Sequence, residues 1–327
     1  MKNSGISAIR GIATLMIVCC HLMQGLDNEL AFWLNVGVQI FLCMSGYLYG
    51  KKQVENTVAW YKRQYLKIMK PVWILLTVLA AVILIGQFSD LSVISLGLSY
   101  LGLAGFGTLP ELTHTWFITY ILFCYLLTPL LQMIDIASEK KTWKFVLSLI
   151  VFVGIAECLY LSRIVMLMPQ YLSCYIVGYY FSRREAANGG ADLKKLTAIV
   201  AAIAVVTLPI RLLVQYGGIE IPMPGWQYIR TQITDWHHTL LGIALFFGLL
   251  LLFTRKKPGY TKILEYSDKY SYYIYLVHQI FILNTFSLLH VTPFLFLNLL
   301  LIAAAVLLSA AVLRWVTERL VIKKKAV

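Results

Sequence analysis

Charge is what this sequence has least of. Asp, Glu, Lys and Arg make up 13% of its 327 residues, about half the share of a soluble domain, so an ordinary water-facing surface cannot be built from it. Acidic residues are scarcer still, 15 against 28 Lys and Arg. Metal-ligand spacing is also missing: neither H-x-x-x-H nor H-E-x-x-H occurs, and the adjacent His237 and His238 point different ways. No metal is therefore expected. Cys19, Cys20, Cys43, Cys124, Cys158 and Cys174 all fall inside apolar runs with no disulfide-like spacing, and read as small buried hydrophobes. No linker, periodic repeat or soluble catalytic domain interrupts the chain. The first apolar run is followed by no small-residue cleavage site, so it is not expected to be a cleavable signal.

Hydrophobic residues instead make up 60% of the chain. They fall into ten runs, 6–23, 32–50, 71–88, 115–134, 145–161, 164–181, 196–214, 238–254, 271–289 and 292–313. Each is long enough to cross a ~30 Å hydrocarbon core as a helix with modest tilt or thinning. Ten crossings put both termini on one side. With that side cytoplasmic, 25 of the 28 basic residues fall inside, leaving only Arg163, Arg211 and Arg230. The positive-inside rule thus accounts for the net charge of +13 without nucleic acid. The expected fold is an all-α polytopic membrane protein of about ten transmembrane helices, both termini cytoplasmic, in the cytoplasmic (inner) membrane. Residues 1–327 form one integral-membrane domain. Counting the Gly- and Ser-rich stretch Leu91 to Gly107 as a span would invert every later loop, so it is read as interfacial or re-entrant.

Ionisable groups inside the runs are the first functional signal, because charge in a membrane helix is costly. Arg10 and His21 lie eleven residues apart, roughly three turns plus 20°, on one face of the first helix and about 16 Å apart along it. A cation at the cytoplasmic end of the stripe suits an anionic ligand, and a neutral imidazole further in suits general-base chemistry. A histidine tying helices together is the plainer reading. The basic stretch Lys51 to Lys70 holds Arg63 and Lys67 at i,i+4, with Lys70 on the adjoining ridge. Such residues clamp phosphates or touch anionic lipid headgroups. Ser45-Gly46 allows close helix approach, with Ser45 lining a site at most. His114 and Trp116 open the fourth span, where a Trp also serves as an interface anchor. Ser271, Tyr275, His278 and Gln279 share a stripe in the ninth. Asp235 to His238 read as a water-exposed rim before the eighth span, and Glu157 as an intramembrane carboxylate that pairs with a neighbour or sits near the outer surface.

These motifs, in this order, resemble the acyltransferase type 3 family of bacterial polytopic membrane acyltransferases. The resemblance rests on Arg10-x10-His21, Phe41 to Tyr47 as F-x-x-x-S-G-[FY], the basic stretch into Pro71, His114-x-Trp116-Phe117, and Tyr270-Ser271-x-x-Ile274-Tyr275-Leu276-x-His278. It implies transfer of an acyl group, most often acetyl, from cytoplasmic acetyl-CoA as co-substrate to a hydroxyl of a cell-envelope glycan or lipid-linked sugar. His21 and Arg10 would be the essential pair and Arg63, Lys67 and Lys70 would recognise CoA. The usual R-x-x-R of that stretch is here Arg63-x-x-x-Lys67. Some relatives carry a fused extracytoplasmic domain; for a chain ending at Val327, any such transferase would be a separate partner. A transporter or flippase of an envelope precursor is the rival reading, since ten helices with buried polar groups also serve alternating access. A catalytically idle sensory relative is a third.

Overall fold

A computed structural model describes residues 3–88, 90–134, 142–162, 168–188, 191–255, 259 and 261–322. Helices dominate, and no strand occurs among the described residues. The chain runs α1 (Ser4–Gly25), α2 (Leu30–Leu34), α3 (Gly37–Gly50), α4 (Thr57–Gly86), α5 (Val93–Leu101), α6 (Trp116–Ile134), α7 (Thr142–Leu161), α8 (Gln170–Asn188), α9 (Ala191–Tyr216), α10 (Trp226–Arg255), α11 (Lys262–Ile282) and α12 (Leu295–Ile322). Taking α2 with α3, each of the ten hydrophobic runs overlaps a helix. Eight of these helical stretches are both long and apolar enough to cross a membrane. The other two, α8 and α11, are long but carry more polar residues.

Helix ends are where hydropathy misleads. α4 starts at Thr57, fourteen residues before the apolar run, because the Asn56 side chain accepts from the Ala59 N–H and caps it. Residues 57–70 of the basic stretch, with Arg63 and Lys67 on one helix as their spacing implies, are therefore the first half of one 30-residue helix that continues through Pro71, while Lys51 and Lys52 precede it. α10 likewise begins at Trp226, so Asp235 to His238 lie within it. His237 and His238 are buried, not a water-exposed rim. α11 begins at Lys262, capped by Thr261, and stops at Ile282. Residues 283–289 then fold back, with Asn284 in the left-handed region and the Leu288 N–H bonded to the Phe281 carbonyl. Residues 164–167, at the start of the sixth run, lie outside the described residues.

Contacts place both chain ends together. Gly5 meets Phe253 near the end of α10, Ser7 bonds Asp268 near the start of α11, and Arg314 sits over the Tyr270 ring. This end carries most of the basic residues. At the far end, Gly25 meets Leu289, and Trp33 bonds Tyr216. α5 is only nine residues long, too short to cross. It descends beside α4, where Trp73 Nε1 donates to the Tyr100 carbonyl and Tyr65 OH to that of Leu101, which makes the segment re-entrant.

The tightest packing joins α3 and α8. A Cβ on Gly46 would lie 2.0 Å from the Tyr175 carbonyl oxygen, and one on Gly178 2.1 Å from that of Cys43. Small residues let these backbones touch, the usual device where water supplies no force between helices. α7 sits at the periphery, with 6% of its span buried against 61% for Leu30–Gly50. The inner helices enclose a cavity.

Candidate functional site

The cavity holds about 420 Å³ and lies among α1, α3, α4, α6 and α11. Its polar groups gather toward the basic end: Arg10, Lys52, Lys67 and Asp268. Arg10 is ion-paired with Asp268, whose second oxygen accepts from Ser7 Oγ at 2.9 Å. Lys52 lies over the Tyr49 ring, 5.1 Å from its centroid. Three cations against one carboxylate leave this region with net positive charge. Ser45 lines the wall; among the described residues no hydrogen bond joins it to His21. Phe41, Met44, Ile68, Ile121 and Tyr125 make the middle apolar, and Ile17, Phe117 and Tyr275 lie toward the far end.

Just past Tyr275 three histidines converge from helices far apart in sequence. His21 Nδ1 is 2.7 Å from His278 Nε2, and the His114 ring centroid lies 5.0 Å from that of His278 and 6.0 Å from that of His21. The hydrogen bonds assign the protons. His278 Nδ1 faces the Tyr275 carbonyl at 2.7 Å and the Ile274 carbonyl at 3.2 Å. Carbonyls only accept, so this nitrogen carries the hydrogen and the neutral ring's Nε2 is an acceptor. His21 Nδ1 must then donate to it, which leaves the lone pair of His21 on Nε2. His114 is set the same way: its Nδ1 and its backbone N–H both point at Gln279 Oε1, while Gln279 Nε2 donates to Thr113 Oγ1. His114 Nε2 is thus a buried lone pair without a partner. Tyr275 OH, donating to the His114 carbonyl at 2.7 Å, locks α11 to the turn before α6. His278 and His114 are buried; His21 is half-buried.

The sequence-predicted residues divide accordingly. Arg10, Ser45, Lys67 and Tyr275 line the cavity, and His21, His114 and His278 form one cluster beyond it. Arg63 is exposed and Lys70 half-buried, and neither lines the cavity. Trp116 stacks on Tyr171, 5.3 Å between centroids, and packs helices instead of facing the site. Glu157 is paired as expected, accepting from Tyr228 OH and Gln232 Nε2. Two residues went unsingled in the sequence, Lys52 and Asp268. Asp268 had a signal: it precedes His278 by ten residues, nearly the Arg10–His21 interval, so parallel α1 and α11 match polar group to polar group at both levels.

Together these features define a multi-pass helical membrane protein with a polar site enclosed by its helices. The family model described as an acyltransferase domain matches residues 3–315, and the chain belongs to the acyltransferase type 3 family. It is a membrane enzyme that transfers acyl groups. Neither curated proteins nor solved structures gave a significant match.

Proposed function

We propose that this enzyme moves an acetyl group from cytoplasmic acetyl-CoA to a hydroxyl of a cell-envelope glycan or lipid-linked sugar, in the inner membrane. The observation that carries this reading is the cavity with its cations at the basic end and the histidine cluster past its other end. The phosphates of CoA would meet Lys52 and Lys67, where charge-assisted bonds are strongest. Asp268 holds the Arg10 guanidinium in place beside them. An extended pantetheine arm, of the same order as the ~16 Å between Arg10 and His21, would follow the apolar wall toward Tyr275.

His21 Nε2 is the general base in this proposal. It takes the proton of the acceptor hydroxyl as the oxygen attacks the thioester carbonyl carbon. The C–S bond breaks, and the CoA thiolate recovers a proton from the His21 imidazolium, giving ester and free thiol. His278 acts through His21 as a positioning residue: by accepting from Nδ1–H it keeps the reactive lone pair on Nε2.

The donor end is tested by kinetics. Lys52→Ala and Lys67→Ala are each expected to raise the KM for acetyl-CoA by roughly tenfold or more, with kcat little changed, as loss of a charge-assisted contact implies. Arg63→Ala and Lys70→Ala, off the cavity lining, should move it less than about threefold. An unchanged KM in both Lys52→Ala and Lys67→Ala would return these lysines to lipid contact.

A further inference from the structure

Arg211 is the most unexpected side chain in the molecule. The charge distribution assigns it to the outside, yet it sits within α9, fully buried, five residues or ~7.5 Å before the far end of that helix. Its Nη1 donates to His237 Nδ1 at 2.9 Å, and His237 is held as an acceptor because its Nε2 donates to the Ala204 carbonyl at 3.0 Å. Its Nε reaches Gln215 Oε1 at 3.3 Å. Nη2 has no partner. Asp235 acts on the guanidinium electrostatically, but no carboxylate among the described residues forms an ion pair with it.

More unsatisfied polar atoms lie on the same helix as His237. Both ring nitrogens of buried His238 and the hydroxyl of Thr239 are without partners. The His238 ring rests 5.0 Å from that of Phe32, and the Arg211 guanidinium 5.0 Å from the same ring. Trp33 covers the guanidinium at 3.7 Å and is tied to the exposed Tyr216 by an indole N–H bond of 2.9 Å. A buried polar group without a partner is destabilising, and a buried cation without a carboxylate more so. An aliphatic side chain would fill this place without that cost. The unmet groups that meet at Phe32 are a guanidinium and an imidazole, donors that match oxygens bearing negative charge.

We propose that Arg211 and His238, which share the face of Phe32, form an oxyanion site at the far end, which takes a carboxylate or phosphate of the acceptor saccharide after Trp33 swings aside. Assigning the anion to the acceptor rests on the acyl-transfer reading; its binding does not. The site lies at the opposite end of the bundle from the lysines of the donor cavity, so donor and acceptor anions do not compete.

The test is thermal unfolding of the full chain in lipid nanodiscs with inorganic phosphate or glucuronate, against sodium chloride at equal ionic strength and neutral glucose. Phosphate, glucuronate or both should raise Tm saturably in the wild type, while chloride and glucose do not. Half-saturation should move at least tenfold higher in Arg211→Met and in His238→Phe, which keeps the aromatic contact with Phe32. Lys52→Ala/Lys67→Ala, which removes two cations from the opposite end, should keep the wild-type shift. A response to phosphate alone makes the ligand a phosphate group, and one to glucuronate alone a sugar carboxylate. No saturable shift in the wild type, or an equal shift in the foldable variants of Arg211 and His238, overturns the site. Because no transfer is measured, failure here is separable from failure of the proposed reaction.

Discussion

His21→Ala is expected to lower acyl transfer by about 10²–10⁴-fold, the usual contribution of a positioned general base, with the protein still folded in the membrane. The side chain is half-buried at the edge of the cluster, so its truncation removes the hydrogen bond to His278 and the ring contacts with His114 and His278. The companion variant separates chemistry from structure. His278→Phe removes the acceptor that fixes the His21 tautomer and should cost about 10–10²-fold in kcat, whereas His278→Gln, whose amide oxygen can accept from Nδ1–H, should recover part of it. Transfer assays on purified variants, with folding checked by gel filtration, decide the point. Wild-type turnover in His21→Ala would remove the base from the account.

The second large effect is structural. Gly178→Leu should abolish accumulation of folded protein, because its Cβ alone would stand 2.1 Å from the Cys43 carbonyl and backbone has nowhere to move. Even Gly178→Ala is expected to cost about 1–3 kcal/mol or more, as overpacking does in dense interiors. Gly97→Ala and Gly154→Ala are the controls, since no atom lies within 4 Å of a Cβ at either place. Unfolding temperatures in detergent should fall for Gly178→Ala and stay level for both controls. The α3–α8 contact also positions Ser45, Leu48 and Tyr49 on the cavity wall, so the packing supports the site directly.

These two cases show what a single sequence reveals. Arg10 and His21 share a helix face by periodicity alone, and the all-helical, multi-pass architecture followed from hydropathy, eight helices among the described residues being long and apolar enough to cross a membrane. Helix ends did not follow, because a polar helix extension carries no hydropathy signal; Asn56 capping α4 and the polar start of α10 decide them locally. Convergence of His21 with His114 and His278 depends on how α1, α6 and α11 pack, which no spacing encodes. Lys52 illustrates the same limit from the other side. As one of many basic residues near the cytoplasm it looked like topology, and only the cavity distinguishes it from Lys51, which instead pairs with Glu185. Arg211 is the converse, a cation that the charge count set aside as an exception within the run 196–214 and that packing buries fully.

The central claim is that the basic end of the cavity receives the phosphates of an acyl-CoA whose thioester extends toward His21. Equilibrium binding of acetyl-CoA and of acetyl-pantetheine, the same thioester without the nucleotide, tests it most directly on purified wild-type protein and the Lys52→Ala/Lys67→Ala variant. The account predicts that acetyl-CoA binds the wild type at least about 100-fold more tightly than acetyl-pantetheine, as two charge-assisted contacts imply, and that the double substitution closes most of that gap. Equal binding of the two thioesters to the wild type, or a gap untouched by removing both lysines, would contradict it.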